Sequence, residues 1–160
     1  MIMHAQGFSL LELLIVIGIS SILATVGIHH WKAIQLRNEL VSTTQQLAHF
    51  LNEVQVKAYT ENQNYKLFVF SSPWCLTITS EERPTSCKQG ALQFIKPNNT
   101  VKISGLTEKK HIYFWGRRNM AQSFSLELSN EIGKSKVFVS YRGRIRFCQL
   151  NSYLPSLPPC

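Results

Sequence analysis

The chain has 160 residues, 17 Lys plus Arg against nine acids, and a formal net charge of +8. All nine acids are glutamate, which excludes a Ser-His-Asp triad and an EF-hand calcium loop. At 44% hydrophobic the chain is too apolar to be disordered, and its length suits one domain with a proper core.

The charge is unevenly placed. Residues 1–60 balance Lys32, Arg37 and Lys57 against Glu12, Glu39 and Glu53, so the whole +8 belongs to residues 61–160. A basic balance points to an anionic partner such as nucleic acid or lipid, and says nothing of fold.

The first predicted element is apolar. FSLLELLIVIGISSILATVGI, Phe8 to Ile28, holds one charge, Glu12. At about 1.5 Å per residue it crosses a hydrocarbon core of roughly 30 Å. A cleavable secretory signal would need a basic start and a shorter apolar core. MIMHAQG has no Lys or Arg, so a retained helix is expected. A carboxylate in such a span costs about 2.5–3.5 kcal/mol at its centre and less near its end. Glu12 therefore either snorkels to the interface or pairs with a positive group on another subunit.

Gly7-Phe8-Ser9-Leu10-Leu11-Glu12-Leu13, opening that helix, resembles the processing site of type IV prepilins and pseudopilins. The resemblance implies cleavage after Gly7 by prepilin peptidase and N-methylation of Phe8. It also implies that Glu12 pairs with the amino terminus of a neighbouring subunit during assembly. The leader departs from the usual pattern in carrying only His4 and the terminal amine.

After the span, Trp31, Ile34, Leu40, Val41, Leu47, Leu51, Val54 and Ala58 recur near three, four and seven, predicting an amphipathic helix that ends between Tyr59 and Asn64. No proline precedes Pro73, so one continuous helix of about 50 residues is expected. Short β-rich runs follow: Tyr65–Phe70, Trp74–Thr79, Ala91–Ile95, Val101–Ser104, His111–Trp115, Ser123–Leu128, Lys136–Tyr141 and Arg144–Leu150. The expected fold class is α+β, a long N-terminal helix packed on an antiparallel sheet or sandwich. The expected division is a leader (1–7), a transmembrane and assembly segment (8–30), an amphipathic continuation (31–62) and a β-rich head (63–160).

Cys75, Cys87, Cys148 and Cys160 allow three pairings. Both sequence-neighbouring pairs are twelve residues apart, which favours Cys75–Cys87 and Cys148–Cys160, with crossed pairings as the alternative. No CxxC spacing suits zinc, and no metal or other cofactor is expected. Disulfides place the head in an oxidising compartment, the periplasm or the exterior. Lys32 and Arg37 after the span would instead put it in the cytoplasm by the positive-inside rule; the cysteines are followed. His4, His29, His30, His49 and His111 stand outside any nucleophile-elbow, phosphate-loop or dinucleotide motif, so no enzymatic activity is expected.

The basic end holds Lys134, Lys136, Arg142, Arg144 and Arg146, with no acid after Glu131. If strand geometry holds through Gly143, alternation puts the three arginines on one face and Ile145 and Phe147 on the other. Guanidiniums so spaced suit a phosphate backbone. A solvated face that keeps the protein soluble explains the spacing equally well.

Gly143-Arg144-Ile145-Arg146, just before a cysteine, resembles the GRxR motif of the FimT and GspH family of minor pilins and pseudopilins. Trp74-Cys75-Leu76 and Phe114-Trp115-Gly116-Arg117-Arg118-Asn119 resemble blocks in related enterobacterial minor pilins. The resemblance implies a minor pilin stored in the inner membrane with a periplasmic head, then joining other major and minor pilins in an extracellular pilus. FimT-like members imply double-stranded DNA as partner during natural transformation. The contacts would be Arg142, Arg144, Arg146, Lys134, Lys136 and Lys102, with Arg117, Arg118, Lys109 and Lys110 as secondary candidates. The alternative is a structural minor pilin, or a type II secretion pseudopilin, that primes assembly without binding DNA.

Overall fold

The computed structural model describes residues 9–71, 74–106, 111–151 and 153–160. Gly7, Phe8, Lys109 and Lys110 lie outside the described residues. One helix, α1, runs Leu10–Thr60 without interruption. Among the described residues nine strands follow: β1 (Tyr65–Ser71), β2 (Trp74–Thr79), β3 (Leu92–Ile95), β4 (Lys102–Leu106), β5 (Ile112–Trp115), β6 (Met120–Ala121), β7 (Phe124–Ser129), β8 (Lys134–Val139) and β9 (Ile145–Gln149). The fold is α+β, as its periodicities predict. The two-residue β6 is the one strand without a sequence signal, being too short to alternate.

Compactness divides the chain between Gln35 and Leu36. In the first unit α1 is apolar on every side, and Leu10, Ile15, Ile22, Leu23 and Ile28 are all exposed. It is long and apolar enough to cross a membrane. Trp31 and Ile34, expected in the buried stripe, are exposed at 72% and 50%. The stripe begins instead at Leu36.

In the second unit Leu36, Leu40, Leu47, Leu51, Val54 and Ala58 line one face of α1 and are buried. Leu40, Leu47, Leu51, Val54 and Ala58 pack with Leu67, Leu76, Ile78 and Phe114 from one sheet and Leu126, Leu128, Val137 and Val139 from the other in a single core. The first sheet has five strands in the order β3-β2-β1-β5-β6, and the second has four, β4-β7-β8-β9. Every pairing within them is antiparallel. Alternation in β7 and β8 turns Phe124, Leu126, Leu128, Val137 and Val139 inward, leaving polar residues and Phe138 on the outer face.

Two polar contacts fix α1 against the four-stranded sheet. Thr44 Oγ1 donates to Leu40 O at 2.7 Å. Its one proton is thereby used, so the buried Ser135 hydroxyl is the donor in their 2.6 Å contact. Asn130 Nδ2 donates to Leu36 O at 2.7 Å, while its Oδ1 accepts from Ile132 and Gly133 N–H and so shapes the β7–β8 turn.

The helix ends on Asn62, whose φ of 51° is a left-handed stop that asparagine tolerates, with Gln63 N–H bonded to Ala58 O at 3.1 Å. The disulfides are Cys75–Cys87 and Cys148–Cys160. The second anchors a proline-rich tail that buries Leu154 and Leu157 and bridges Gln149 to Pro159.

Candidate functional site

The N-terminal candidate is represented by Glu12, which lies in the first turn of α1 and is exposed.

Arg142, Arg144 and Arg146 gather at one end of the four-stranded sheet. The arginines do not share a strand, as alternation through Gly143 would have required. Strand β8 stops at Val139, the chain turns, and β9 begins at Ile145. Gly143 has a φ of +73°, and a Cβ there would lie 2.0 Å from Gln55 Nε2. Glycine is demanded both by that backbone conformation and by the close approach. The turn is closed by Gly143 N–H to Ser140 O at 2.9 Å and Ser140 N–H to Arg144 O at 3.0 Å.

The turn brings the three arginines together by another route. Arg146 is paired opposite Phe138. Arg142, Arg144 and Arg146, with Phe138 and Ser140, line an open recess of about 430 Å³. All three arginines are exposed, and among the described residues none has an acidic partner. Ile145 and Phe147 pack against the core, as the alternation predicts. Arginine forks without carboxylates beside them leave their donors open to phosphate oxygens.

The lysines divide. Lys136 is directly opposite Glu127 on β7, and Nζ lies 3.2 Å from Oε1. That no acid follows Glu131 in the chain therefore does not leave Lys136 unpaired. The neutralising acid comes from the neighbouring strand, earlier in the chain. Lys102, Ser129 and Lys134 form one row across β4, β7 and β8. Lys134 is four residues along β8 from Phe138, or about 13 Å from the arginine end.

Arg117 and Arg118 lie on the turn between β5 and β6, and both are exposed. Gly116 opens that turn; a Cβ there would meet Ala58 O at 2.3 Å, so the turn sits against the end of α1. Asn119 accepts from Gln55 Nε2 through both Oδ1 (3.0 Å) and its backbone O (3.3 Å). Ala121 N–H donates to Tyr141 O at 3.2 Å, so this turn adjoins the arginine turn of β8–β9. Residue-by-residue reading missed Tyr141, Phe138 and Ser140. Tyr141 had a usable signal, an aromatic beside Arg142, but Phe138 enters only through its pairing with Arg146. Among the described residues no three His, Cys or Glu side chains are placed to hold a metal ion.

The prokaryotic N-terminal methylation motif matches residues 2–28. In fold, the chain is similar to the type IV minor pilin FimU of Pseudomonas aeruginosa strain PAO1, with a TM-score of 0.57. The chain thus carries a prokaryotic N-terminal methylation motif and, in fold, resembles a type IV minor pilin. The likeness to FimU covers 76% of this chain and 96% of that chain at 16% identity, so it speaks for the fold alone. No curated protein matches the chain in sequence. The motif covers the start of the apolar helix, and the fold likeness accounts for a long helix followed by antiparallel sheets.

Proposed function

We propose that this chain is a minor type IV pilin whose head binds double-stranded DNA without sequence preference during DNA uptake. On this reading Gly7 is the cleavage site for prepilin peptidase and Phe8 the methylated mature terminus. Glu12 pairs with the amino terminus of a neighbouring pilin, which supplies the positive partner that a carboxylate in an apolar helix requires. The processed subunit waits in the inner membrane with its head in the periplasm, then enters the pilus.

The observation that carries DNA binding is the recess lined by Arg142, Arg144 and Arg146 with no acidic neighbour among the described residues. Lys134 and Lys102 add positive charge at the other end of the sheet, about 13 Å away. Lys136, paired with Glu127, contributes less. Binding of this kind is electrostatic, with log K falling by about 0.9 per neutralised phosphate for each tenfold rise in salt.

The test is a titration of the detergent-solubilised chain with duplex DNA at several salt concentrations. The Arg144→Gln/Arg146→Gln variant is expected to lose affinity for every sequence alike, with the salt slope reduced by about 2. No salt-dependent binding, or an unchanged variant, removes the DNA reading and leaves a structural subunit that primes assembly. Mass spectrometry tests the processing step separately: an intact leader in place of N-methylated Phe8 removes the pilin assignment.

A further inference from the structure

A second recess, of about 390 Å³, is lined by Trp115, Tyr141, Arg117, Arg118 and Asn64. Its aromatic wall is built from residues distant in sequence. Trp115 and Tyr141 meet edge to face, with ring centroids 5.8 Å apart and planes at 61°. Behind Trp115, Tyr113 is stacked almost parallel, at 6.1 Å and 9°, which holds the indole in place. Tyr141 is 53% exposed, so much of its ring is uncovered. The arginine-bearing turn is fixed too, since Gly116 N–H donates to Asn64 Oδ1 at 3.1 Å and Asn119 is held by Gln55.

We propose that this recess is a subsite for an unpaired nucleotide, whose base lies on the Tyr141–Trp115 wall and whose phosphate is held by Arg117 or Arg118. The inference rests on the DNA-binding reading above and adds to it a preference for single-stranded ends or frayed segments. A neutral ligand would use the rings and leave both guanidiniums idle, and a simple anion would use the guanidiniums without the rings. A nucleotide carries a flat face and an anion side by side. Bases inside a duplex are already stacked and do not reach the wall, so the subsite acts only where the strand is open. Because Arg142 follows Tyr141 directly, a strand leaving this recess continues onto the three-arginine recess.

The test uses the full chain in detergent with three probes of about 20 nucleotides: oligothymidine, an abasic strand and a blunt duplex. Replacing Tyr141 by leucine is expected to weaken oligothymidine binding about tenfold, the size of one lost base–aromatic stack, and to leave the duplex within about twofold. Tyr141→Phe should retain the wild-type affinity. Arg117→Gln/Arg118→Gln should weaken oligothymidine and lower its salt slope by about 0.7 per lost phosphate contact. Trp115 fluorescence should be quenched by oligothymidine and not by the abasic strand. The subsite is overturned if Tyr141→Leu leaves oligothymidine unchanged or weakens duplex equally. Equal affinity for the abasic strand overturns it as well. A chain that binds duplex but not oligothymidine loses only this subsite, whereas one that binds neither loses the DNA reading too.

Discussion

The two halves of α1 are both unbroken helix and both carry many aliphatic side chains, yet those side chains end in opposite places. From Leu10 to Gln35 the apolar residues surround the axis, and Leu10, Ile22, Leu23 and Ile28 remain 65–76% exposed. From Leu36 to Thr60 they form a stripe, and Leu40, Leu47, Leu51 and Val54 are fully buried. Helicity is therefore not what distinguishes the halves. The angular spread of apolar residues does so, because a stripe can be covered by two sheets whereas an all-round apolar helix needs an apolar medium. In the pilin reading that medium is first lipid and then the helices of neighbouring subunits.

The strongest way to break this comparison is to remove the same kind of bulk from each half. Leu47→Ala should destabilise the head by about 2–5 kcal/mol through lost burial and a residual cavity. Ile17→Ala should leave denaturant unfolding of the head, followed by near-ultraviolet circular dichroism, where it was. A matching loss in Ile17→Ala would mean that the first half also packs on the head.

A smaller effect sharpens what holds the buried half in place. Thr44→Val leaves the Ser135 hydroxyl buried without its acceptor and should cost about 1–3 kcal/mol. Adding Ser135→Ala removes the orphaned group, so the double variant should recover part of that loss in the same unfolding measurement. Strict additivity would show that the two hydroxyls do not act as a pair.

The smallest effect lies at the helix end. Lys57 Nζ is 2.5 Å from Glu61 Oε1, and the Tyr65 hydroxyl donates to the same carboxylate. The Lys57 contact, then the Tyr65 hydrogen bond, lowers the Glu61 pKa; the same Glu61 bond raises that of Lys57. For Tyr65, burial and then the bond to Glu61 push the phenol up. With Glu61 lowered on folding, its stabilisation is present above the ordinary carboxylate range and is lost as pH falls through the depressed value. Glu61→Gln should flatten that acid-side dependence of the melting temperature. Because the pair is exposed, the change should be slight and smaller still in high salt.

Much of this architecture is legible in the residues alone. The helix and eight of the nine strands follow from spacing, and the twelve-residue cysteine intervals match the bonds that form. The boundary of the stripe was less legible. Trp31 and Ile34 keep its period but stay exposed, since periodicity does not say where a partner surface begins. Lys136 had no visible acid because Glu127 meets it only through the antiparallel register of β7 and β8.

The arginine end divides in the same way. Sequence by itself determined that the positive charge belongs to the head, that its last arginines are free of nearby glutamate in the chain, and that the N-terminus carries an apolar helix with one acid. These are properties of composition and order. Only the tertiary structure decided that Arg142, Arg144 and Arg146 converge through a turn at Gly143, and that Trp115 and Tyr141 form one wall beside Arg117 and Arg118. Convergence depends on strand register, a left-handed glycine and two turns pinned against each other, and residues so far apart in the chain become neighbours only when the core fixes all three.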